Sequence, residues 1–157
     1  MKKHKIAIGC DPNAMDLKNA LYDHLVSLGH DIKDFGSEDP IYANTAFAVA
    51  EAVSAGEYTR GVLLCGTGIG VCLAANKVFG ALAVNCSDAY SVERSIKSNN
   101  ANIITFGSQV MGVESAKTLL NSWLSYEYET GGRSEAKVQR IKAYEIEHAR
   151  NKEHEGK

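Results

Sequence analysis

Residues 61–77, GVLLCGTGIGVCLAANK, hold the side chain best suited to chemistry. A short apolar run ends at Cys65, and three glycines follow closely, Gly66, Gly68 and Gly70. A strand, a glycine-rich turn and a helix in this order direct backbone N–H groups and a helix N-terminus at an anion. The same N–H groups favour the thiolate form of a cysteine at the mouth of the turn. Cys65 is therefore a candidate base or nucleophile beside an anion-binding turn.

The glycine turn does not match the common nucleotide-binding patterns. It lacks the Gly-Lys-Ser/Thr ending of a P-loop and the G-x-G-x-x-G spacing of a dinucleotide site. A tight turn around a small buried cysteine, with no chemical role, would produce the same pattern. The stretch alone leaves a reactive thiol and a structural turn both open.

Composition limits the classes of function. A chain of 157 residues is the length of one domain, predicted at 1–150, with a polar tail at 151–157. The net charge of −2, without a basic block, argues against nucleic acid and an anionic membrane as partners. No apolar run reaches membrane-spanning length. The four cysteines lack zinc spacing and no secretory signal precedes them, so we expect free thiols in the cytoplasm.

Apolar runs and helical patterns alternate along the chain. Strands are predicted at residues 5–9, 31–35, 61–65, 80–85 and 102–106. Helices are predicted at 16–28, 45–55, 71–77, 88–97, 113–126 and 134–149, with Asp16 and Asp88 as caps and Phe47 near a buried face. This alternation predicts a three-layer, Rossmann-like α/β/α fold with a five-stranded parallel sheet and an extra C-terminal helix.

The ends of the predicted strands gather the polar residues. Ligands of such sheets bind outside the carboxyl ends of the strands. Asp11 follows the first strand and Cys65 the third, so we expect them to share one crevice. Cys86 lies near that crevice too, but the glycine turn favours Cys65 as the base. Cys10 and Cys72 are most simply small buried residues.

The last helix has a narrow apolar stripe, formed by Val138, Ile141 and Tyr144, and no strand follows it. A helix left over once a sheet is covered often packs on a partner chain. We therefore expect a homodimer.

Several ordered segments carry a family resemblance: IAIGCD, CGTGIG followed by AANKV, DAYSVERS, SNNANIITFG and GGR. They resemble the ribose-5-phosphate isomerase B family, which includes the galactose-6-phosphate isomerase subunits, over about residues 5–141. The resemblance implies an aldose–ketose isomerase of sugar phosphates that needs no metal or cofactor. It also implies dimers, sometimes paired into tetramers, in which two subunits share each active site.

The resemblance assigns the catalytic roles around the turn. Cys65 would be the base that moves a proton between C1 and C2 through a cis-enediolate. Thr67 would assist by hydrogen bonding. Backbone amides would hold the enediolate oxygens, namely those of Gly66, Gly68, Ile69 and Gly70. Donors placed where charge develops stabilise a transition state by several kcal/mol, on the order of 3.

The resemblance also assigns substrate-binding residues. Asp11 matches an aspartate that binds sugar hydroxyls, and Asn99 an asparagine that bonds the substrate. Arg133 matches a phosphate-binding arginine, and Lys137 stands one helical turn later, where a second arginine is common. Both can reach one phosphate from one helix face. Tyr42, in a predicted loop, matches a tyrosine close to the substrate, although a plain packing role is equally open.

Four positions depart from the family pattern: Pro12, Ser98, Gln109 and Ser134. The family usually has histidine in place of Pro12, and it has histidine in place of Ser98 and often in place of Ser134. It has arginine, sometimes a phosphate ligand, in place of Gln109. Ser98 occupies the catalytic position of the histidine credited with opening the sugar ring. A group that titrates near neutral pH suits that step, and serine does not.

The missing histidine favours a substrate that has no ring to open. A tetrose 4-phosphate lacks a free hydroxyl to form a furanose, so we expect erythrulose 4-phosphate and erythrose 4-phosphate as the substrate pair. One alternative is ribose 5-phosphate, with another group opening the ring. Others are a subunit of a heteromeric hexose-6-phosphate isomerase and, in another class, a flavodoxin-like nucleotide-binding regulatory domain.

Overall fold

The computed structural model describes residues 1–155, with side chains as far as residue 149. The strands are β1 (Lys5–Cys10), β2 (Asp31–Asp34), β3 (Arg60–Cys65), β4 (Ala83–Asn85) and β5 (Ile103–Gly107). The helices are α1 (Met15–Ser27), α2 (Tyr42–Ser54), α3 (Ile69–Ala75), α4 (Ala89–Lys97), α5 (Val113–Ser125) and α6 (Glu135–Glu155).

The five strands form one parallel sheet in the order β2-β1-β3-β5-β4. Alternate side chains of each strand enter different cores, as the pleat requires. Ile8 and Leu64 pack with Leu21 and Trp123 on the face covered by α1, α4 and α5. Leu63 packs on the face covered by α2 and α3. The predicted three-layer α/β fold, with its five-stranded parallel sheet, is confirmed.

Three predictions about the first two helices are wrong. Asp16 lies in the first turn of α1 rather than at its cap. Asp11 instead caps a short 3₁₀ turn, Pro12–Ala14, that leads into α1. Helix α2 begins at Tyr42, so Tyr42 is not in a loop, and Phe47 faces outward with 37% of its surface exposed. Small residues such as Ala46 and Ala50 fill the buried face of α2 instead.

The C-terminal helix is longer than predicted. α6 runs to Glu155, past the expected end at residue 149, and residues 156 and 157 of the predicted tail lie outside the described part of the chain. Val138 is buried, whereas Ile141 and Tyr144 are about half exposed. Within residues 1–155, no helix combines the length and apolar character needed to cross a membrane.

Candidate active site

The glycine turn packs directly on the end of β5. Gly68 has φ of +79°, and a Cβ there would lie 2.8 Å from the backbone carbon of Phe106. A Cβ on Gly107 would lie 2.5 Å from the backbone carbonyl of Thr67. Only glycine allows this left-handed conformation and this close approach without strain. The two glycines therefore fix the turn against the sheet.

Cys65 ends β3 with its side chain directed into the turn. Its residue is only 5% exposed, and its Sγ accepts a hydrogen bond from the backbone N–H of Gly68 at 3.1 Å. A donor of this kind interacts more strongly with a thiolate than with a neutral thiol. The structure thus places an N–H group of the turn at the sulfur.

The other three cysteines have a different environment. All four cysteines are free. Burial raises the pKa of Cys10 to about 12 and the pKa of Cys86 to about 11, and it also raises the pKa of Cys72. These three groups therefore remain neutral thiols near pH 7 and are poor bases.

Two of the turn amides, those of Gly68 and Ile69, already have partners within the chain. Besides the bond from Gly68 to Cys65, the N–H of Ile69 donates to Oγ1 of Thr67 at 3.2 Å. The carbonyl of Thr67 accepts from the side-chain amide of Asn85 at 3.4 Å. An oxyanion that binds here must share or replace the first two bonds, and the Thr67 hydroxyl keeps its own hydrogen for donation.

Asp11 lies beside the end of β3, as expected. Its backbone N–H donates to the carbonyl of Leu64 at 3.3 Å. Its carboxylate accepts from the backbone N–H and the side-chain amide of Asn13, at 3.1 and 3.2 Å. The residue is 5% exposed. Asp11 and Cys65 therefore lie side by side at the ends of the neighbouring strands β1 and β3, on the carboxyl edge of the sheet.

Tyr42 and Gln109 complete the wall around the turn. A Cβ on Gly70 would lie 2.5 Å from Cζ of Tyr42, so the tyrosine ring covers this glycine. The backbone N–H of Gln109 donates to the carbonyl of Gly66 at 3.0 Å, and its side-chain amide lies beside the same glycine. The residues that meet at this edge, called the turn group below, are Asp11, Tyr42, Cys65, residues 66–70 and Gln109.

The remaining predicted site residues meet elsewhere. A cavity of about 410 Å³ is lined by Tyr90, Arg94, Ser98, Asn99, Arg133, Ser134 and Lys137, called the cationic group below. Three of its lining side chains are positive and none is a carboxylate. Sequence patterns missed Arg94, because only the fold brings α4 beside the segment that precedes α6.

The two groups lie at opposite edges of the sheet. α4 follows the carboxyl end of β4 and runs back for 9 residues, about 13 Å. Ser98 and Asn99 therefore lie near the start of β5. The turn group meets the far end of β5, which is 5 residues and about 16 Å long. Cys65 and Arg133 consequently do not share a site within one chain.

Comparison with known proteins relates the chain to one family of sugar isomerases. Residues 6–141 match the family model described as Ribose/Galactose Isomerase. The chain is 47% identical over 144 residues to the D-erythrulose-4-phosphate isomerase of Pectobacterium atrosepticum, covering 89% of this chain and 94% of that protein. It is 45% identical over 150 residues to the ribose-5-phosphate isomerase B of Escherichia coli, covering 94% of this chain and 99% of that one.

A solved structure agrees with the fold. The structure of Clostridium thermocellum ribose-5-phosphate isomerase B superposes with a TM-score of 0.86 and 37% identity. The match covers 92% of this chain and 99% of that one. Fold, sequence and extent of coverage all agree, and the chain therefore belongs to the Ribose/Galactose Isomerase family and is a sugar-phosphate isomerase.

Proposed function

We propose that the protein interconverts erythrulose 4-phosphate and erythrose 4-phosphate through a cis-enediolate, with Cys65 as the base. The 3.1 Å bond between the N–H of Gly68 and Sγ of Cys65 carries the catalytic part of this proposal. This N–H donor favours the thiolate form of Cys65 next to the turn amides, which can also bind a negatively charged oxygen. The relative from P. atrosepticum is named for the same four-carbon substrate.

The proposed proton transfer uses one base for both directions. The Cys65 thiolate takes the proton from C2 of the aldose, and the electron pair moves to give the enediolate. The resulting thiol returns the proton to C1, while a proton passes from O2 to O1 to complete the ketose. The turn amides and Thr67 stabilise the oxygen charge, and Asp11 orients a sugar hydroxyl.

Ser98 supports the choice of a short substrate. Its hydroxyl contacts Nη1 of Arg94 at 3.4 Å, and no imidazole lines the surrounding cavity. A pentose 5-phosphate must open its furanose ring before reaction at C2, and a serine does not titrate near neutral pH. A tetrose 4-phosphate is open-chain or hydrated and needs no such group.

We further propose that a second copy of the chain completes each site. In a twofold dimer, the cationic group of one protomer can reach the turn group of its partner. Arg133 and Lys137 would then hold the phosphate, Asn99 would bond the sugar, and Tyr42 would bound the site. Such dimers can pair into tetramers without changing this geometry. The four free cysteines fit a reducing cytoplasm.

An exposed apolar surface supports this dimer. Phe79 lines one cavity with Phe47 and another with Ile141 and Tyr144, so the outer faces of α2 and α6 are continuous. Leu73 adds the outer face of α3 and is 63% exposed. A contiguous apolar surface of this kind usually marks an interface. Because α3 begins at the glycine turn, a partner seated there lies next to the turn group.

Isotope exchange tests the proposed base. In D₂O, the enzyme should introduce deuterium at C1 or C2 of the tetrose phosphate during turnover. Cys65→Ser should lower both exchange and turnover at least about a hundredfold, because an alcohol is too weak an acid to act as this base. Cys72→Ser, on the neighbouring helix, is the matched control and should retain activity. Retention of more than about a tenth of wild-type turnover in Cys65→Ser would require a different base.

A further inference from the structure

Arg94 lies one helical turn before Ser98 and lines the cavity of the cationic group. Its Nη1 lies 3.4 Å from Oγ of Ser98, and its Nη2 donates to Oε1 of Glu93 at 2.7 Å. Its Nε is buried, with no acceptor among the described residues. Arginine has five N–H donors. The contacts within the chain therefore leave much of the Arg94 guanidinium unsatisfied.

The charge around Arg94 is not balanced on the cavity side. Arg133 and Lys137 line the same cavity, and its other lining residues are neutral. Glu93 neutralises part of Arg94 from outside the cavity lining and also lies 4.0 Å from Lys97. An adjoining cavity of about 360 Å³ is lined by Arg94 and Arg133 together with Glu127 and Glu129, so carboxylates lie on that side of Arg94. On the side of the 410 Å³ cavity, three cations have no carboxylate in the lining, which favours binding of an anion there. A phosphate dianion, which a guanidinium contacts with two parallel bonds, fits this requirement.

We infer that Arg94 is a third phosphate-binding residue of this site and acts together with Ser98. The inference rests on the proposed function, because it specifies how the same site holds its substrate. The serine hydroxyl accepts from Nη1 of Arg94 and can donate its own hydrogen to a phosphate oxygen. A short side chain at position 98 also leaves the guanidinium open to the cavity. Arg94 and Ser98 thus form a donor pair next to Arg133 and Lys137.

A matched pair of variants tests this role. Arg94→Met and Lys97→Met each remove one positive charge from α4, and both side chains contact Glu93. Lys97 lies over the ring of Tyr126 and lines the adjoining cavity of about 360 Å³, but it does not line the cavity of about 410 Å³ where the phosphate is proposed to bind. Binding of inorganic phosphate, measured by calorimetry and by competitive inhibition, reports on the anion site without depending on the identity of the sugar.

Loss of a direct phosphate contact has a distinct signature. Arg94→Met should weaken inorganic phosphate binding and raise KM at least about tenfold, with kcat nearly unchanged. Lys97→Met should change the phosphate affinity and KM less than about threefold, as expected for a screened surface charge. Arg94→Lys keeps the positive charge but loses the planar guanidinium that can donate two parallel bonds. Its phosphate affinity and KM should lie between those of wild type and Arg94→Met.

Other results would overturn the inference. Equal effects of Arg94→Met and Lys97→Met would reduce Arg94 to a general electrostatic role. An unchanged phosphate affinity in Arg94→Met would show that Arg94 does not contact the phosphate. If wild type binds phosphate through Arg94 but prefers a pentose, the assignment of Arg94 stands and only the four-carbon substrate fails. If Arg94→Met does not fold, wild-type phosphate affinity in Arg94→Lys and Arg94→Gln would equally refute a direct contact.

Discussion

The backbone N–H of Gly68 donates a 3.1 Å hydrogen bond to Sγ of Cys65. Gly68 also adopts a left-handed conformation that no other residue at the start of α3 shares. The turn and the thiol are therefore one structural unit. The proposed chemistry depends on keeping that unit pressed against the end of β5.

Replacement of Gly107 tests the support of the turn. A Cβ at this position would lie 2.5 Å from the backbone of Thr67, so Gly107→Ala must displace the turn. We expect a loss of about 1–3 kcal/mol in the free energy of unfolding. Because a shift of about 1 Å can cost a hundredfold in rate, kcat/KM should fall between ten- and a hundredfold. Thermal unfolding and steady-state kinetics measure the two effects.

Gly112 is the matched control for this substitution. A Cβ there would have no heavy atom within 4 Å. Gly112 is the N-cap of α5, where alanine is less favourable than glycine, so Gly112→Ala should cost no more than about 1 kcal/mol of stability and leave kcat/KM unchanged. Equal behaviour of the two variants would mean that contact with β5 does not position the turn.

Mixed dimers test whether two chains share each site. Cys65→Ser and Arg133→Ala should each have little activity at low substrate concentration. When both chains are co-expressed, a mixed dimer has one site with both defects and one intact site. Random pairing at equal amounts should therefore restore about a quarter of wild-type activity. Recovery no greater than the sum of the two parents would show that Cys65 and Arg133 do not meet across an interface.

Acid stability depends on two buried histidines, His4 directly before β1 and His30 directly before β2. Nδ1 of His30 accepts the backbone N–H of His4 at 3.1 Å, and Nε2 of His4 contacts the carbonyl of Leu124 at 2.9 Å. Burial is the main cause that lowers the pKa of both below the ordinary value of 6.5. Protonated His30 would also present a donor to the His4 N–H. Burial of both rings and the acceptor role of His30 therefore favour the neutral rings in the folded protein, and burial outweighs the Leu124 bond, which acts to raise the pKa of His4.

The direction of the pH effect follows from these lowered pKa values. The unfolded chain binds protons more readily, so the stabilising contribution is complete above about pH 6.5 and is lost as pH falls through the folded pKa. The melting temperature of wild type should decline between about pH 7 and pH 5. His30→Gln should be less stable at neutral pH but show a flatter profile. His148→Gln, at an exposed position, should show the same dependence of melting temperature on pH as wild type. If His30→Gln also lost stability with acid as steeply as wild type, His30 would not contribute to acid stability in this way.

Local sequence was sufficient to predict the sheet and the strand, turn and helix around Cys65. The run that ends at Cys65 is apolar and bounded by glycines, so strand, turn and helix follow from composition. The start of α2 was harder, because Ile41 provides no side-chain cap and Tyr42–Asn44 carry no clear signal. Phe47 was misplaced because alanines occupy the buried face of α2 and leave the larger side chain outside.

The composition of the second group depends on tertiary structure. Asn99 and Arg133 were predicted by family resemblance, but their separation from Cys65 depends on α4 running back along the sheet. Arg94 has no local pattern that distinguishes it from a solvated helical arginine. Its role becomes visible only when its unsatisfied Nε and the neighbouring cations are seen around one cavity.

The substrate preference tests the central claim most directly. The measurement is kcat/KM for erythrose 4-phosphate and for ribose 5-phosphate, determined side by side with the wild-type enzyme. Without an imidazole at position 98, the tetrose phosphate should be preferred at least about tenfold, a difference of ~1.4 kcal/mol in transition-state stabilisation. An equal or higher kcat/KM for ribose 5-phosphate would contradict the proposed four-carbon substrate.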